Sequence, residues 1–305
     1  MACDLPIGVF DSGLGGLTVV REIERVSPDE SVVYLGDTAR CPYGPRPLSQ
    51  VRDFVLELGA WMRRRPVKLM VVACNTGTAA GLAAAQRAFD VPVIGVIEPG
   101  ARAAVRATID RRVGVIGTLG TIESGAYSDA VRALDAGVTV FSAATPKFVD
   151  VVEAGLRMGP GTLEEWLAEA SDVFIRPSFH QIARDYLEPL KRSGIDTLVL
   201  GCTHFPLLSS AIGQVVGRGV RLISSAEETA REVAETLKRR ELLAPAGAVP
   251  TRAYVTTGDG AEFRDLGGRV LRHPVERVET VGLSELEALL TPELLAAAEP
   301  AGELP

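Results

Sequence analysis

The chain is poor in cysteine, histidine and tryptophan, with four, three and two of each, and it has no long apolar run. Each shortage excludes something. The cysteines at positions 3, 41, 74 and 202 include no close CxxC pair. They form neither a disulfide framework nor a structural zinc site, and are expected as reduced thiols. His180, His204 and His273 are too few and too scattered for a metal centre, so no metal is expected. GxxxxGK[ST] is absent, and the glycines after the first apolar run do not have GxGxxG spacing. An ATP or dinucleotide site is therefore poorly supported, and no cofactor is expected. No stretch reaches the roughly 18 apolar residues that a membrane-spanning helix needs, and no basic segment leads into an apolar one at the start. The expectation is a cytoplasmic protein without membrane contact. Basic charge is also in deficit, with 32 Lys and Arg against 39 Asp and Glu and a formal net charge of −7. That argues against direct nucleic-acid binding. The one basic cluster, Arg63-Arg64-Arg65 with Lys68, closes a helical pattern, where positive charge is favourable at a helix C-terminus.

What the chain does have is ordinary globular composition, 47% apolar and 23% charged, over 305 residues. That length favours two compact units and hence a cleft between them. Short apolar runs rich in β-branched residues alternate with amphipathic helical stretches, the pattern of α/β units with a largely parallel, covered sheet. The runs are Ile7 to Phe10, Ser31 to Leu35, Lys68 to Ala73, Val91 to Val96, Val113 to Ile116, Gly137 to Phe141, Thr197 to Leu200 and Val220 to Ile223. Helices are expected over Leu48 to Arg65, Thr78 to Phe89, Leu163 to Phe174, with a cap at Thr162, and Pro177 to Ser193. Alternation fades after about Gly267. The tail from Glu285 reads as one amphipathic helix and a disordered end, with no chemistry.

Nearly every apolar run ends in Gly, Asp, Thr, Ser or Cys, and in open α/β sheets ligands sit at the carboxyl ends of the strands. A weak internal repeat sharpens the point. Ile7 to Gly13 resembles Val113 to Thr118, each a strand opening into a turn rich in Gly and hydroxyls. Leu69 to Thr76 resembles Thr197 to His204, and both strands end in a Cys followed by two polar residues. If an approximate two-fold relates the halves, Cys74 and Cys202 enter one interdomain cleft from opposite sides.

Inverting an α-carbon takes two acid/base groups on opposite faces of a nearly planar carbanion, and two opposed thiols meet that demand. Asn75, Thr76, Thr203 and His204 then bind carboxylates and stabilise charge developing toward an enediolate. A single free Cys is more often a small buried hydrophobe. Two in matching positions favour chemistry, whereas Cys3 and Cys41 have no counterpart in the repeat and are left out of the catalytic set. The loop Asp11 to Thr18 has two readings: a carboxylate cradle, with Asp11 turned to an ammonium or a thiol, or a tight turn needing glycines for φ > 0. His204 either tunes the Cys202 thiol or is a packing histidine.

Five ordered segments carry a resemblance: Gly8 to Gly16 (GVFDSGLGG), Tyr34 to Gly44 (YLGDTARCPYG), Ala73 to Thr76 (ACNT), Pro92 to Gly100 (PVIGVIEPG) and Leu200 to Leu208 (LGCTHFPLL). They are similar to cofactor-independent glutamate racemases, within the aspartate/glutamate racemase family. The likeness runs from about Ile7 to Phe263.

The resemblance implies two pseudo-symmetric α/β domains with mostly parallel sheets and the active site in the cleft. Residues 1–97 and 210–267 would form one domain, 98–209 the other, and 268–305 a C-terminal extension. It also implies that Cys74 takes the α-proton of D-glutamate and Cys202 that of L-glutamate. Asp11 and Ser12, Pro42, Tyr43 and Gly44, Asn75 and Thr76, and Thr203 and His204 match substrate-contacting positions. Asp37 and Glu153 match acidic positions near the site, or are solvated or capping carboxylates. Asp11, His204 and Glu153 are expected to assist the proton transfers. Gly77 stands where the family commonly has Ala, and Phe205 where it commonly has Tyr; the first is expected to loosen the turn behind Cys74.

The implied role is supply of D-glutamate for bacterial peptidoglycan, by a homodimer. Some members of the family are reported to bind and inhibit DNA gyrase, so the resemblance also leaves a gyrase-interacting role as a reading. The rival readings are a racemase of aspartate or another acid, and a glutamate-binding protein with the same cleft and no chemistry.

Overall fold

The computed structural model describes residues 3–158, 162–166 and 177–300. Two parallel sheets organise it. The larger has six strands: β1 (Ile7–Asp11), β2 (Val32–Gly36), β3 (Leu69–Val72), β4 (Val93–Gly95), β9 (Arg252–Thr256) and β10 (Val278–Thr280), in the order β10-β9-β2-β1-β3-β4. The smaller has β5 (Arg112–Gly117), β6 (Thr139–Ala144), β7 (Thr197–Gly201) and β8 (Arg221–Ser224), in the order β6-β5-β7-β8. Every strand pair is parallel. Strands β1, β2, β3 and β7 are buried along their whole length, which is why they read as continuous apolar runs and not as alternating ones.

Helices cover both sheets. Against the larger lie α1 (Leu17–Val26) on one face and α2 (Leu48–Arg63) and α3 (Asn75–Ala88) on the other. Against the smaller lie α4 (Ile97–Ala107) and α6 (Ala126–Leu134) on one face, with α5 (Leu119–Glu123) after β5. The opposite face carries α7 (Lys147–Arg157), α8 (Pro177–Arg192) and α9 (Ser209–Val216), the last preceded by a 3₁₀ turn, Phe205–Leu208. Helix α10 (Ser225–Arg239) packs on both α1 and α4 and so joins the two units. Among the described residues no helix is long and apolar enough to cross a membrane.

All eight expected strands are present. Two strands and a boundary differ from expectation. The chain returns to the first unit later than residue 210, because β8 still pairs with β7 in the smaller sheet and only β9 pairs with β2. Residues 268–305 are not a separate extension as far as they are described: β10 pairs with β9, and β9 with β2. The tail forms two short helices instead of one, α12 (Leu283–Glu287) and α13 (Pro292–Ala298), after α11 (Gly260–Leu271). Leu286, Leu289 and Ala298 are buried in the core beneath α2 and α3, and residues 301–305 lie outside the described part. At Thr162 the expected cap forms: the Thr162 hydroxyl and N–H both donate to Glu165, and Glu165 N–H donates back. Residues 163–166 are helical and 167–174 are outside the described residues.

The basic cluster is structural. Arg65 pairs with Glu279 at 2.7 Å, Arg64 with Glu285 at 3.7 Å, and Lys68 is buried against Glu30 at 2.5 Å.

Candidate active site

Strands β1 and β3 are neighbours and run the same way, so their carboxyl ends deliver Asp11, Ser12 and Cys74 to one place. In the smaller sheet the neighbours β5 and β7 deliver Thr118 and Cys202 in the same manner. The two ends face each other across one narrow cavity. It is lined by Ser12, Cys41, Pro42, Tyr43, Gly44, Cys74, Asn75, Thr76, Thr118, Val149, Cys202, Thr203 and His204. Its volume is about 20 Å³, room for about one water.

Cys74 is the N-cap of α3. Its sulfur accepts from Gly77 N–H at 3.3 Å and donates to Ser12 Oγ at 3.7 Å. Burial, then the nearby Asp11 carboxylate, pushes its thiol up to about 12 against the weaker pull of those contacts. Cys74 is therefore protonated at neutral pH in the closed site. Gly77 is not in a loosened turn: it is buried in the first turn of α3, where an added Cβ would stand 3.1 Å from Cys74 Cβ and 3.3 Å from Val55. Phe205 is also fully buried, edge-on to Phe148 at 5.5 Å.

Cys202 has a different neighbourhood. His204 Nδ1 lies 3.7 Å from its sulfur, and Glu153 Oε1 lies 3.6 Å from His204 Nε2. Burial disfavours an imidazolium, but contacts with Cys202 and Glu153 outweigh it and raise the His204 pKa to about 10. The same histidine, against the cost of burial, holds the Glu153 carboxyl below its ordinary value. His204 thus carries its proton at physiological pH, and its charged state adds stability. That contribution is complete below the unfolded value near 6.5 and is lost as pH rises toward about 10. Ring ¹⁵N shifts of His204 recorded at pH 8 are expected to be those of an imidazolium; a neutral ring at that pH would contradict this assignment.

The glycine loop is not the positive-φ turn of one of its two readings. None of Gly13, Gly15 and Gly16 has positive φ. The N–H groups of Gly13 and Gly16 donate to Asp11 Oδ2 at 3.1 and 2.9 Å, so these two donors are taken up by the loop's own carboxylate. Its glycines serve close approach. A Cβ on Gly15 would lie 2.4 Å from Thr203 Oγ1 and 2.6 Å from His204 Nδ1. Thr18 at the start of α1 also donates to Thr203 O at 2.9 Å, fixing the Cys202 turn to the first unit.

Asp11, Asp37 and Glu153 stand behind the cavity wall and do not line it. Asp37 has both oxygens engaged: Tyr43 Oη and Arg40 Nε donate to Oδ2, and Thr257 Oγ1 donates to Oδ1 at 2.8 Å. It holds Tyr43 in place from behind the cavity wall. Burial, then Asp37, keeps the Tyr43 phenol well above its ordinary value, so it stays a donor.

Cys41, Thr118 and Val149 line the cavity without having been expected there. Thr118 was visible at the end of the repeat strand, and its hydroxyl bonds Thr76 Oγ1 at 2.8 Å. Tyr127 was also missed; it donates to Asn75 Oδ1 at 2.8 Å, which turns the amide nitrogen toward the site.

Residues 7–233 match the Asp/Glu/Hydantoin racemase family, and the chain belongs to it. It is an isomerase. A glutamate racemase of Corynebacterium diphtheriae is 46% identical over 90% of this chain and 97% of its own. A solved glutamate racemase isoform from Bacillus anthracis superposes with a TM-score of 0.81 at 44% identity, over 92% of this chain and 98% of that one. A Francisella tularensis glutamate racemase, solved in complex with D-glutamate, gives 0.80 at 29% identity over 92% and 98%.

Proposed function

We propose that this isomerase interconverts L- and D-glutamate with Cys74 and Cys202 as the two opposed proton-transfer groups, supplying D-glutamate for peptidoglycan. The observation that carries the reading is the meeting of both thiols, from two different sheets, in one narrow cavity. With L-glutamate bound, Cys202 as thiolate takes the α-proton, while the protonated Cys74 gives its own to the opposite face. The bonding pair left on the α-carbon moves into the carboxylate as an enediolate and returns to form the new C–H bond. Afterwards Cys202 holds the proton and Cys74 the charge, ready for D-glutamate. The imidazolium of His204 beside Cys202 offsets negative charge at that sulfur.

Two buried polar atoms around the site have no hydrogen-bond partner among the described residues: Asp11 Oδ1 and Asn75 Nδ2. Buried polar atoms left unpaired are costly. With the two units parted, this acceptor and this donor suit an amino acid, its ammonium toward Asp11 and its carboxylate toward Asn75. Ser12, Thr76, Thr203, and the Pro42-Tyr43-Gly44 turn would complete the contacts. A cavity with room for one water cannot hold glutamate, so the two units must part to admit it.

Polarimetry with L-glutamate and L-aspartate in separate assays, without added metal or cofactor, tests the substrate. Loss of rotation to zero with glutamate, and a rate on aspartate at least 10²-fold lower, is the expected result. Comparable rates on both, or no change with glutamate, would overturn it.

A further inference from the structure

Beside the catalytic cavity lies a second one of about 180 Å³, and Cys41 lines both. Its other wall residues include Glu153, Arg157 and Glu262. These three form a chain of charges. Arg157, in the last turn of α7, places NH1 3.6 Å from Glu153 Oε2, one helical turn back. Its NH2 and Nε lie 3.1 and 3.2 Å from Glu262 Oε1 on α11. Helix α7 covers the smaller sheet, whereas α11 lies between β9 and β10 of the larger, so the contact crosses the cleft.

The end of α7 is gripped at a second point from the same helix. The buried Arg269 of α11 donates to Leu156 O at 2.6 Å and to Met158 O at 3.2 Å, supplying donors to carbonyls that a helix end leaves without partners. The Glu153 carboxylate so held reaches His204 at 3.6 Å and Cys41 Sγ at 3.8 Å.

We infer that Arg157 is a positioning residue: pinned across the closed cleft by Glu262, it aims Glu153 at His204 and so readies the Cys202 half of the site only when the two units are together. Arg157 has no contact with the catalytic cavity and acts through Glu153. The inference rests on the two-thiol reading above. Opening of the cleft for substrate separates Glu262 from Arg157, and closure restores the pair, so the contact couples substrate enclosure to the alignment of His204. The side chains of Arg157 and Glu262 are half exposed. A pair of that kind adds little stability, which leaves alignment as its measurable effect.

The equality of energy between enantiomers sets the form of the test. At equilibrium L- and D-glutamate are equal, so kcat/KM is the same in both directions for every variant, and the informative quantities are kcat and its pH profile. Arg157→Gln is expected to lower kcat about 10-fold with KM changed less than 3-fold, and Arg157→Lys to recover at least half the loss. The groups facing Glu153 are His204, Cys41 and Arg157, with Asp259 and Glu262 on the same cavity wall. Removing the Arg157 cation moves the acidic limb of kcat to higher pH in Arg157→Gln. Glu262→Gln is expected to give a smaller loss of the same kind, and the double variant no more than Arg157→Gln alone, because both act through one contact. Melting temperatures report folding separately. Wild-type kcat and pH profile in Arg157→Gln, or losses that multiply in the double variant, would overturn the inference. Failure of the wild type itself to racemise glutamate would overturn the functional reading instead.

Discussion

Cys74→Ala and Cys202→Ala each lower racemisation of glutamate by roughly 10²–10⁴-fold or more, the range that a positioned acid or base contributes. Both variants keep the fold, since each replaces a small buried side chain by one slightly smaller at the end of a strand. Their residual activities differ in kind. The thiol left in Cys74→Ala faces the α-proton of L-glutamate and can still remove and return it on that face. Proton exchange without inversion is expected with the L enantiomer in that variant and with the D enantiomer in Cys202→Ala. A packing role for either cysteine predicts no such preference. Exchange followed by NMR on each pure enantiomer separates the cases, and equal exchange of both enantiomers in both variants would contradict the assignment.

Gly15→Ala is the second large effect. The added carbon would lie 2.4 Å from Thr203 Oγ1 and 2.6 Å from His204 Nδ1, and neither neighbour is a free end. Thr203 O is held by Thr18, and His204 by Cys202 and Glu153. The Cys202 turn must shift, and displacement of a catalytic group by about 1 Å costs about 10²-fold. The expected outcome is a loss of that order in kcat/KM with destabilisation of about 1–3 kcal/mol, as overpacking gives. Gly219→Ala is the control, with nothing within 4 Å of its added carbon, and both quantities should stay at the wild-type values. Activity assays and denaturant titration of the two variants decide the matter. A fully active Gly15→Ala would show that the two units do not approach each other through this loop.

The cysteines were legible in the sequence because a strand end is a local feature. Four or five buried apolar residues followed by Cys and two polar ones place the thiol at the carboxyl edge of a parallel sheet, whatever the rest of the chain does. The alternation of strands and helices revealed parallel, covered sheet for the same reason. What escaped depended on distant partners. Arg252–Thr256 opens with Arg and Ala, and only its last three residues are buried; it is a strand because β2 offers it an edge. The tail reads as an extension because the alternation of strands and helices fades there, yet Leu286 and Ala298 find a core face left open by α2 and α3.

The candidate site divides along the same line. Ser12, Asn75, Thr76, Thr203 and His204 follow strands directly and line the cavity. Asp37 follows a strand too, but Arg40, Tyr43 and Thr257 converge on it and take up both oxygens. A sequence cannot show which of two carboxylates is already occupied. Cys41 had no partner in the repeat, and its place in the wall comes from a loop that only the folded chain brings against Glu153. Two N–H groups of the glycine loop turn back to Asp11, five residues or fewer away, which the glycine pattern alone does not show.

The most direct test of the two-thiol account is the position of the label in the first molecules of product. Wild-type protein is placed in D₂O with L-glutamate, and the α-proton content of each enantiomer is followed by NMR from the first few per cent of reaction. Two opposed thiols predict D-glutamate carrying deuterium at the α-carbon, delivered from the Cys74 side, while the remaining L-glutamate still holds its proton. D-glutamate that retains the original proton would mean that one group serves both faces, and would contradict the account.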